Sequence, residues 1–110
     1  MVMLNSKVIL VTGGSTGIGR ATAKVLGAEG ATVIIADVQD QEGSNTVRMV
    51  CDAGGQAEYH HVDVGDYEQV RALVTQVAET HGSLDGAFNN AGIEGPTAKI
   101  PDVAAELLPT

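Results

Sequence analysis

Apolar positions along the chain come in two alternating rhythms. Short β-branched runs, suited to strands, are separated by longer stretches whose apolar residues recur at the spacing of a helix. Lys7 to Thr12 and Ala31 to Ala36 are runs of the first kind, and Ala57 to Val62 and Leu84 to Asn89 repeat them further on. Three helical stretches lie between. In the first, Ile18, Ala21, Thr22, Val25 and Leu26 form a stripe expected to face a sheet, and Gly30 stops it. The second, from Gln39 to Ala53, is polar and weakly patterned through Val47, Val50 and Cys51, and ends at Gly54-Gly55. The third opens at Asp66 with Gln69 following, an acidic relative of the capping box, and carries Tyr67, Val70, Leu73, Val74 and Val77 as far as Gly82. Beyond Asn89 the chain reads as loop with Pro96, Pro101 and Pro109, plus a short helical start at Asp102 to Leu108.

Regular strand–helix alternation without a linker or low-complexity tract predicts the α/β class, with a Rossmann-type, doubly wound parallel sheet. Right-handed crossovers place strands two and three successively on one side of strand one, and the fourth on the other, giving the order 3-2-1-4. Strand order then reverses between strands one and four. Ligands of open α/β sheets bind outside the carboxyl ends of the strands at such a reversal, where Gly13 to Gly19, Asp37 and Asn89 to Gly92 converge.

The residues at that convergence carry a specific chemistry. Strand one runs directly into Gly13-Gly14-Ser15-Thr16-Gly17-Ile18-Gly19, and a glycine-rich turn opening a helix presents backbone N–H groups at the positive helix end, where a pyrophosphate is held. Taken alone, the glycines read as a turn and Asp37 as a solvated strand cap. In this order, with the acid about 20 residues beyond the glycines, they read together as a dinucleotide site. A carboxylate at Asp37 accepts hydrogen bonds from ribose hydroxyls and repels a 2′-phosphate, which selects NAD over NADP. Neither Thr16 nor Val38 supplies a basic group to reverse that preference.

Composition narrows the picture further. With 110 residues, 44% hydrophobic and 3% aromatic, the chain suits one small domain with an aliphatic core. A net charge of −8 disfavours nucleic acid and anionic membrane surfaces as partners. Cys51, the sole cysteine, excludes an internal disulfide and reads as a small buried apolar residue. The N-terminus lacks the order of a signal peptide, and no apolar run approaches the roughly 20 residues of a bilayer span, so a soluble cytoplasmic protein is expected. His60, His61 and His81 offer no evident carboxylate partner or metal-ligand spacing and are expected at the surface or a strand edge. No Gly-Lys-Ser/Thr follows the glycines, which excludes a P-loop. A methyltransferase shares the turn and the acid but is poorly served by Asn89 to Gly92.

Thr-Gly-x-x-x-Gly-x-Gly at Thr12 to Gly19, Asn-Asn-Ala-Gly at Asn89 to Gly92, and Asp63-Val64 after strand three together resemble the short-chain dehydrogenase/reductase family. The resemblance implies that Gly13, Ser15, Thr16, Gly17, Ile18 and Gly19 wrap the pyrophosphate and adenosine ribose. Asp37 with Val38 would set the NAD preference, Asp63 would meet the adenine amino group, and the backbone of Val64 would lie beside the ring. Asn90, Ala91 and Gly92 would line the nicotinamide-ribose side, while Asn89 reads as structural, tying strand four to its neighbours.

The implied reaction is hydride transfer between a nicotinamide and an alcohol or carbonyl, with a Tyr-x-x-x-Lys pair and a serine as the acid/base machinery. Tyr59 is followed at that spacing by Asp63 and Tyr67 by Arg71, so neither forms the pair; Tyr67 is read instead as packing on its helix. Residues 1–110 are therefore expected to be the NAD-binding half of such an enzyme, incomplete at the C-terminus, inactive alone and drawn from a homo-oligomer. The alternative is a nucleotide-binding or pairing fragment without turnover. Strand four is apolar enough to be central, so further chain or another copy is expected to cover its edge.

Overall fold

The computed structural model describes residues 4–90, and within them strands and helices alternate strictly. The strands are β1 (Val8–Thr12), β2 (Thr32–Asp37), β3 (Gln56–His61) and β4 (Gly86–Asn89). The helices between them are α1 (Gly17–Ala28), α2 (Asp40–Asp52) and α3 (Tyr67–His81). The strands form one sheet in the order β3-β2-β1-β4, every pair parallel, as expected. Strand β4 begins later than its apolar run; just before it, Asp85 donates its N–H to the carbonyl of Val8 and accepts the N–H of Val8 on its carboxylate, each at 2.8 Å. Ala91, Gly92, the three prolines and the helical start at Asp102 to Leu108 lie outside the described residues.

Alternation along the strands divides the core into two layers. On one face Val8, Leu10, Ile34 and Ala36 meet Val70, Leu73, Val74 and Val77 of α3, with Val62 and Leu84 closing the ends. On the other, Val11, Val33 and Ile35 pack with Ala23 of α1 and Val50 of α2. Residues Val33 to Ala36 of β2 are wholly buried because helices cover both of its faces.

Helix α3 buries the face its periodicity indicated, except that Tyr67, at its first residue, is exposed. Asp66 caps it, accepting from the N–H groups of Glu68 at 3.0 Å and Gln69 at 3.4 Å. Gln69 departs from a capping box. Its side chain donates to the Asp66 carboxylate and accepts the N–H of Asp63, while the Asp66 N–H goes to the carbonyl of Asp63. Gly30, Gly54 and Gly82, which end the helices, adopt φ of 97°, 93° and 84°, a region where a Cβ is strained.

In the other two helices the inward face is only partly the expected one: Val50 is buried and Leu26 and Val47 pack against the core as expected, but other positions differ. Helix α1 buries Gly19, Ala23 and Gly27, whereas Ile18 and Val25 are 69% and 62% exposed. The reason is close approach: a Cβ on Gly19 would stand 1.9 Å from the carbonyl oxygen of Gly13, and one on Gly27 2.5 Å from Val50 Cγ1. A stripe of large apolar residues cannot come that near the turn and α2, and a stripe of small residues can. Helix α2 similarly buries Gly43, Thr46 and Val50, leaving Val47 half-buried and Cys51 exposed rather than in the core.

The histidines also differ from expectation, since each has a carboxylate partner. Residues two apart on a strand share a face, so Glu58 and His60 meet on β3, and His81 arrives from the end of α3. The Glu58 carboxylate receives His60 Nε2 at 2.5 Å and His81 Nε2 at 2.8 Å. His61 Nδ1 lies 2.6 Å from Asp40 Oδ1. The His81 and His61 pairs join residues that sequence spacing alone does not bring together.

Two outcomes follow. Gly19→Ala should lower the unfolding free energy by about 2 kcal/mol, since the clash is with backbone that no rotamer change relieves. Val25→Ala should stay within about 0.5 kcal/mol. Urea denaturation checks the ranking, and the reverse order would contradict the close α1 approach. Glu58 supplies a pH dependence: partial burial raises its carboxyl, but the hydrogen bonds from His60 and His81 outweigh burial and hold it below its ordinary value near 4.5. A depressed folded value contributes stability above the unfolded pKa and loses it as pH falls through the folded one. Glu58→Gln should therefore flatten the loss of stability between about pH 5 and pH 3, read from urea midpoints across that range.

Candidate functional site

Strand β1 delivers the chain to its turn at the carboxyl end of the sheet, between β2 and β4. Gly13, at φ 66°, donates its N–H to the carbonyl of Ala36 at 2.9 Å, prolonging the β1–β2 contact by one step before the chain turns away. Gly14 passes so close to β2 that a Cβ would lie 2.9 Å from Ile35 Cγ2. Gly17 adopts φ 57°, and a Cβ there would meet nothing within 4 Å, so this residue faces open space at the mouth of the crevice.

The start of α1 is left polar and positive. Thr16 is its N-cap in extended conformation, with no side-chain hydrogen bond to the helix, and the first turn has no acidic residue. By contrast, α2 carries Asp40 and Glu42 in its first turn and α3 carries Glu68 beneath the Asp66 cap. The first amides of a helix lack intrahelical acceptors and sit at the positive end of its dipole. Among the three described helices, α1 alone has both an uncapped first turn and no acid there to offset that charge.

Ser15 is wholly buried and works inward. Its N–H donates to Asp37 Oδ2 at 3.3 Å, its hydroxyl to the carbonyl of Gln39 at 3.4 Å, and its carbonyl accepts Thr46 Oγ1 at 3.2 Å. Arg20, one turn along α1, gives its guanidinium to α2 through Thr46 Oγ1 and the carbonyl and carboxylate of Glu42. The glycine turn, β2 and α2 are thereby tied into one unit.

Asp37 ends β2 with its other carboxylate oxygen accepting the N–H of Val38 at 2.7 Å. Ile18 and Val38, the latter 52% exposed, are apolar side chains left uncovered at the same end of the sheet. On the β4 side, Asn89 Oδ1 accepts the Thr12 hydroxyl at 3.0 Å, which agrees with a structural role, and Asn90 Nδ2 reaches the carbonyl of Gly13 at 3.4 Å. Asp63 stands exposed beyond β3, its carboxylate accepting the N–H of Gly65 at 2.9 Å, and Val64 packs partly against the α3 layer. The geometry thus brings together the glycine turn, Asp37, Val38, Asn89 and Asn90, with Asp63 and Val64 on the loop after the neighbouring strand.

Sequence reading missed one group beside Asp37. The hydroxyl of Tyr59 lies 2.9 Å from the Asp37 carbonyl and 2.6 Å from Asp40 Oδ1, the oxygen that also meets His61. Hydrogen bonds from Tyr59 and His61 hold the Asp40 carboxyl below its ordinary range. Burial, reinforced by the carboxylates of Asp40 and Asp37, pushes the Tyr59 phenol well above the usual tyrosine value, so it serves as a donor and not as a base. The signal was Gly43, at the end of the first turn of α2: a Cβ there would stand 2.1 Å from Tyr59 Cε1.

Other concavities lie elsewhere. One of about 350 Å³, lined by Ser6, Gly27, Thr32 and Gly55 among others, is at the amino ends of the strands, and one of about 260 Å³ lies between β3 and α3 at His60 and Gln76. Among the described residues no cluster of three or more His, Cys, Asp or Glu side chains is arranged to hold a metal ion. No helix there is long and apolar enough to cross a membrane.

Comparison with known proteins accords with this architecture. The sequence pattern of the short chain dehydrogenase family matches residues 7–107. A 2,5-dichloro-2,5-cyclohexadiene-1,4-diol dehydrogenase of Sphingobium indicum is 48% identical over 89% of this chain, and (+)-borneol dehydrogenase 1 of Salvia officinalis is 46% identical over 90%. The chain spans 37% of the length of each of these relatives. A metagenomic short-chain oxidoreductase, solved in complex with NADP, superposes with a TM-score of 0.79 at 37% identity, covering 83% of this chain and 41% of that one. With nearly its whole length matched by one family pattern and its sheet order shared with a solved member, the chain belongs to the short-chain dehydrogenase family.

Proposed function

We propose that this chain is the cofactor-binding half of an NAD-dependent dehydrogenase acting on a small alcohol or the corresponding carbonyl compound. The observation that carries the reading is the first turn of α1: uncapped, free of acids, preceded by Gly13 and Gly17 at positive φ, and faced by a fixed carboxylate at Asp37. A diphosphate fits the amides of that turn, and the open space at Gly17 is where it would pass. Gly13, Thr16, Gly17, Ile18 and Gly19 would hold it, with Ser15 supporting the turn from beneath. When bound, the nicotinamide supplies or accepts the hydride.

Asp37 would take the adenosine ribose and with Val38 set the preference for NAD, while Asp63 would meet the adenine amino group and the backbone of Val64 would lie beside the ring. Asn90, with Ala91 and Gly92 beyond the described residues, would border the nicotinamide ribose. One relative of known structure holds NADP; the support for NAD here is the Asp37 carboxylate, which a 2′-phosphate would have to approach at a cost. The Arg20 guanidinium, occupied by Glu42, is not free to offset that repulsion.

The alcohol substrate is suggested by relatives named for diol and borneol dehydrogenation. The acid/base pair for hydride transfer would come from outside these residues, so the 110-residue chain is expected to bind nucleotide without turning over substrate. The edge of β4, where Phe88 is 37% exposed, would be covered in the whole protein by further strands, and assembly would be homo-oligomeric. The lone exposed Cys51 suits a reducing cytoplasm.

Isothermal titration should show NAD binding at least about tenfold more tightly than NADP, a difference of roughly 1.4 kcal/mol. Asp37→Ala should narrow or reverse that gap. Equal affinities in the unaltered chain would defeat the NAD assignment, and absence of binding by either nucleotide would defeat the site.

A further inference from the structure

Tyr59, on β3, is half-buried against α2 and spends its hydroxyl at the carboxyl end of the sheet, on two points at the ends of the turn that follows β2. The first is the carbonyl of Asp37 at 2.9 Å, which also accepts the N–H of Val62 at 2.9 Å. The second is Asp40 Oδ1 at 2.6 Å, which His61 Nδ1 also meets at 2.6 Å. A phenol has one proton, so these two contacts share it as a three-centre bond. Gly43 makes the arrangement possible, since any larger residue at that point of α2 would collide with the Tyr59 ring.

We propose that Tyr59 is a positioning residue for dinucleotide selection: by tying the Asp37 carbonyl and the Asp40 carboxylate to one hydroxyl, it fixes the turn from which the Asp37 side chain projects. The inference rests on the reading of Asp37 as the ribose-binding carboxylate. Ser15 steadies that carboxylate from the α1 side through its N–H, but Ser15 touches the Asp37 side chain, whereas Tyr59 ties the Asp37 main-chain carbonyl to the Asp40 side chain across the turn. A carboxylate on a loose turn could withdraw from an incoming 2′-phosphate; one on a pinned turn cannot, so rigidity here converts a charge into discrimination. Asp40, held in place by the same hydroxyl and by His61, adds a second fixed negative charge to that end of the sheet.

The test is the ratio of the dissociation constants for NADP and NAD, measured by titration calorimetry on the full 110-residue chain. Tyr59→Phe, which keeps the ring against Gly43, should lower the ratio by about tenfold, the scale of one hydrogen bond to a charged group. Asp40→Asn approaches the same bond from the other partner and should lower the ratio in the same direction. In an Asp37→Ala background, Tyr59→Phe should change the ratio no further, because the group it positions is gone. Equal weakening of both nucleotides by Tyr59→Phe would overturn the proposal while leaving Asp37 its role. If Asp37→Ala itself leaves the ratio unchanged, the reading of the ribose site fails and this inference fails with it.

Discussion

The contact between Gly19 and Gly13 governs this molecule. With the main chain of α1 lying against the turn that precedes it, closely enough that a single Cβ would strike the Gly13 carbonyl, the helix has almost no freedom in how it leaves the sheet. Its axis is set by backbone against backbone rather than by interlocking side chains. The helix start is thus aimed at the carboxyl end of β1, and Ser15, held beneath, passes that constraint to Asp37 and Gln39. From there Thr46 and Arg20 extend it to α2.

Local arrangement, not overall charge, decides what this surface attracts. The chain carries a net charge of −8, which would be a poor starting point for holding a polyanion. Main-chain N–H groups act within a few ångströms, however, and the acids are distributed so that the first turns of α2 and α3 contain them while that of α1 does not. The carboxylate that does face the glycine turn, Asp37, is held by two N–H groups. An acidic chain can therefore keep the first turn of one helix free of acids, with the nearest carboxylate fixed at its side by Ser15 and Val38.

The fold was legible because each strand and helix has its own rhythm and the joints are marked by glycine. Strand order followed from crossover handedness, and the convergence of the glycine turn with Asp37 and Asn89 followed from the order. What stayed hidden was of another kind. In α1 the apolar stripe through Ile18 and Val25 pointed away from the sheet, because hydrophobicity does not register a face built from Gly19, Ala23 and Gly27. Cys51 was misplaced for the same reason, α2 being turned by Gly43 toward Tyr59. The carboxylate partners of His81 and His61 join β3 to α3 and to the start of α2 across tertiary distances, and spacing along a chain carries no trace of such meetings; the Glu58–His60 pair, two residues apart on β3, was legible once the strand was assigned.

Parallel connectivity leaves β1 in the interior of the sheet although it is made first. Its partners on one side, β2 and then β3, follow at once, but the Asp85 carboxylate that receives the Val8 N–H is 77 residues away. Until β4 has been made, β1 therefore has a partner on one side only and stands as an edge of the β3-β2-β1 segment. Closure of that edge by β4 also brings Asn89 and Asn90 to Thr12 and Gly13, so one strand both pairs with β1 and supplies one wall of the crevice at the carboxyl end of the sheet.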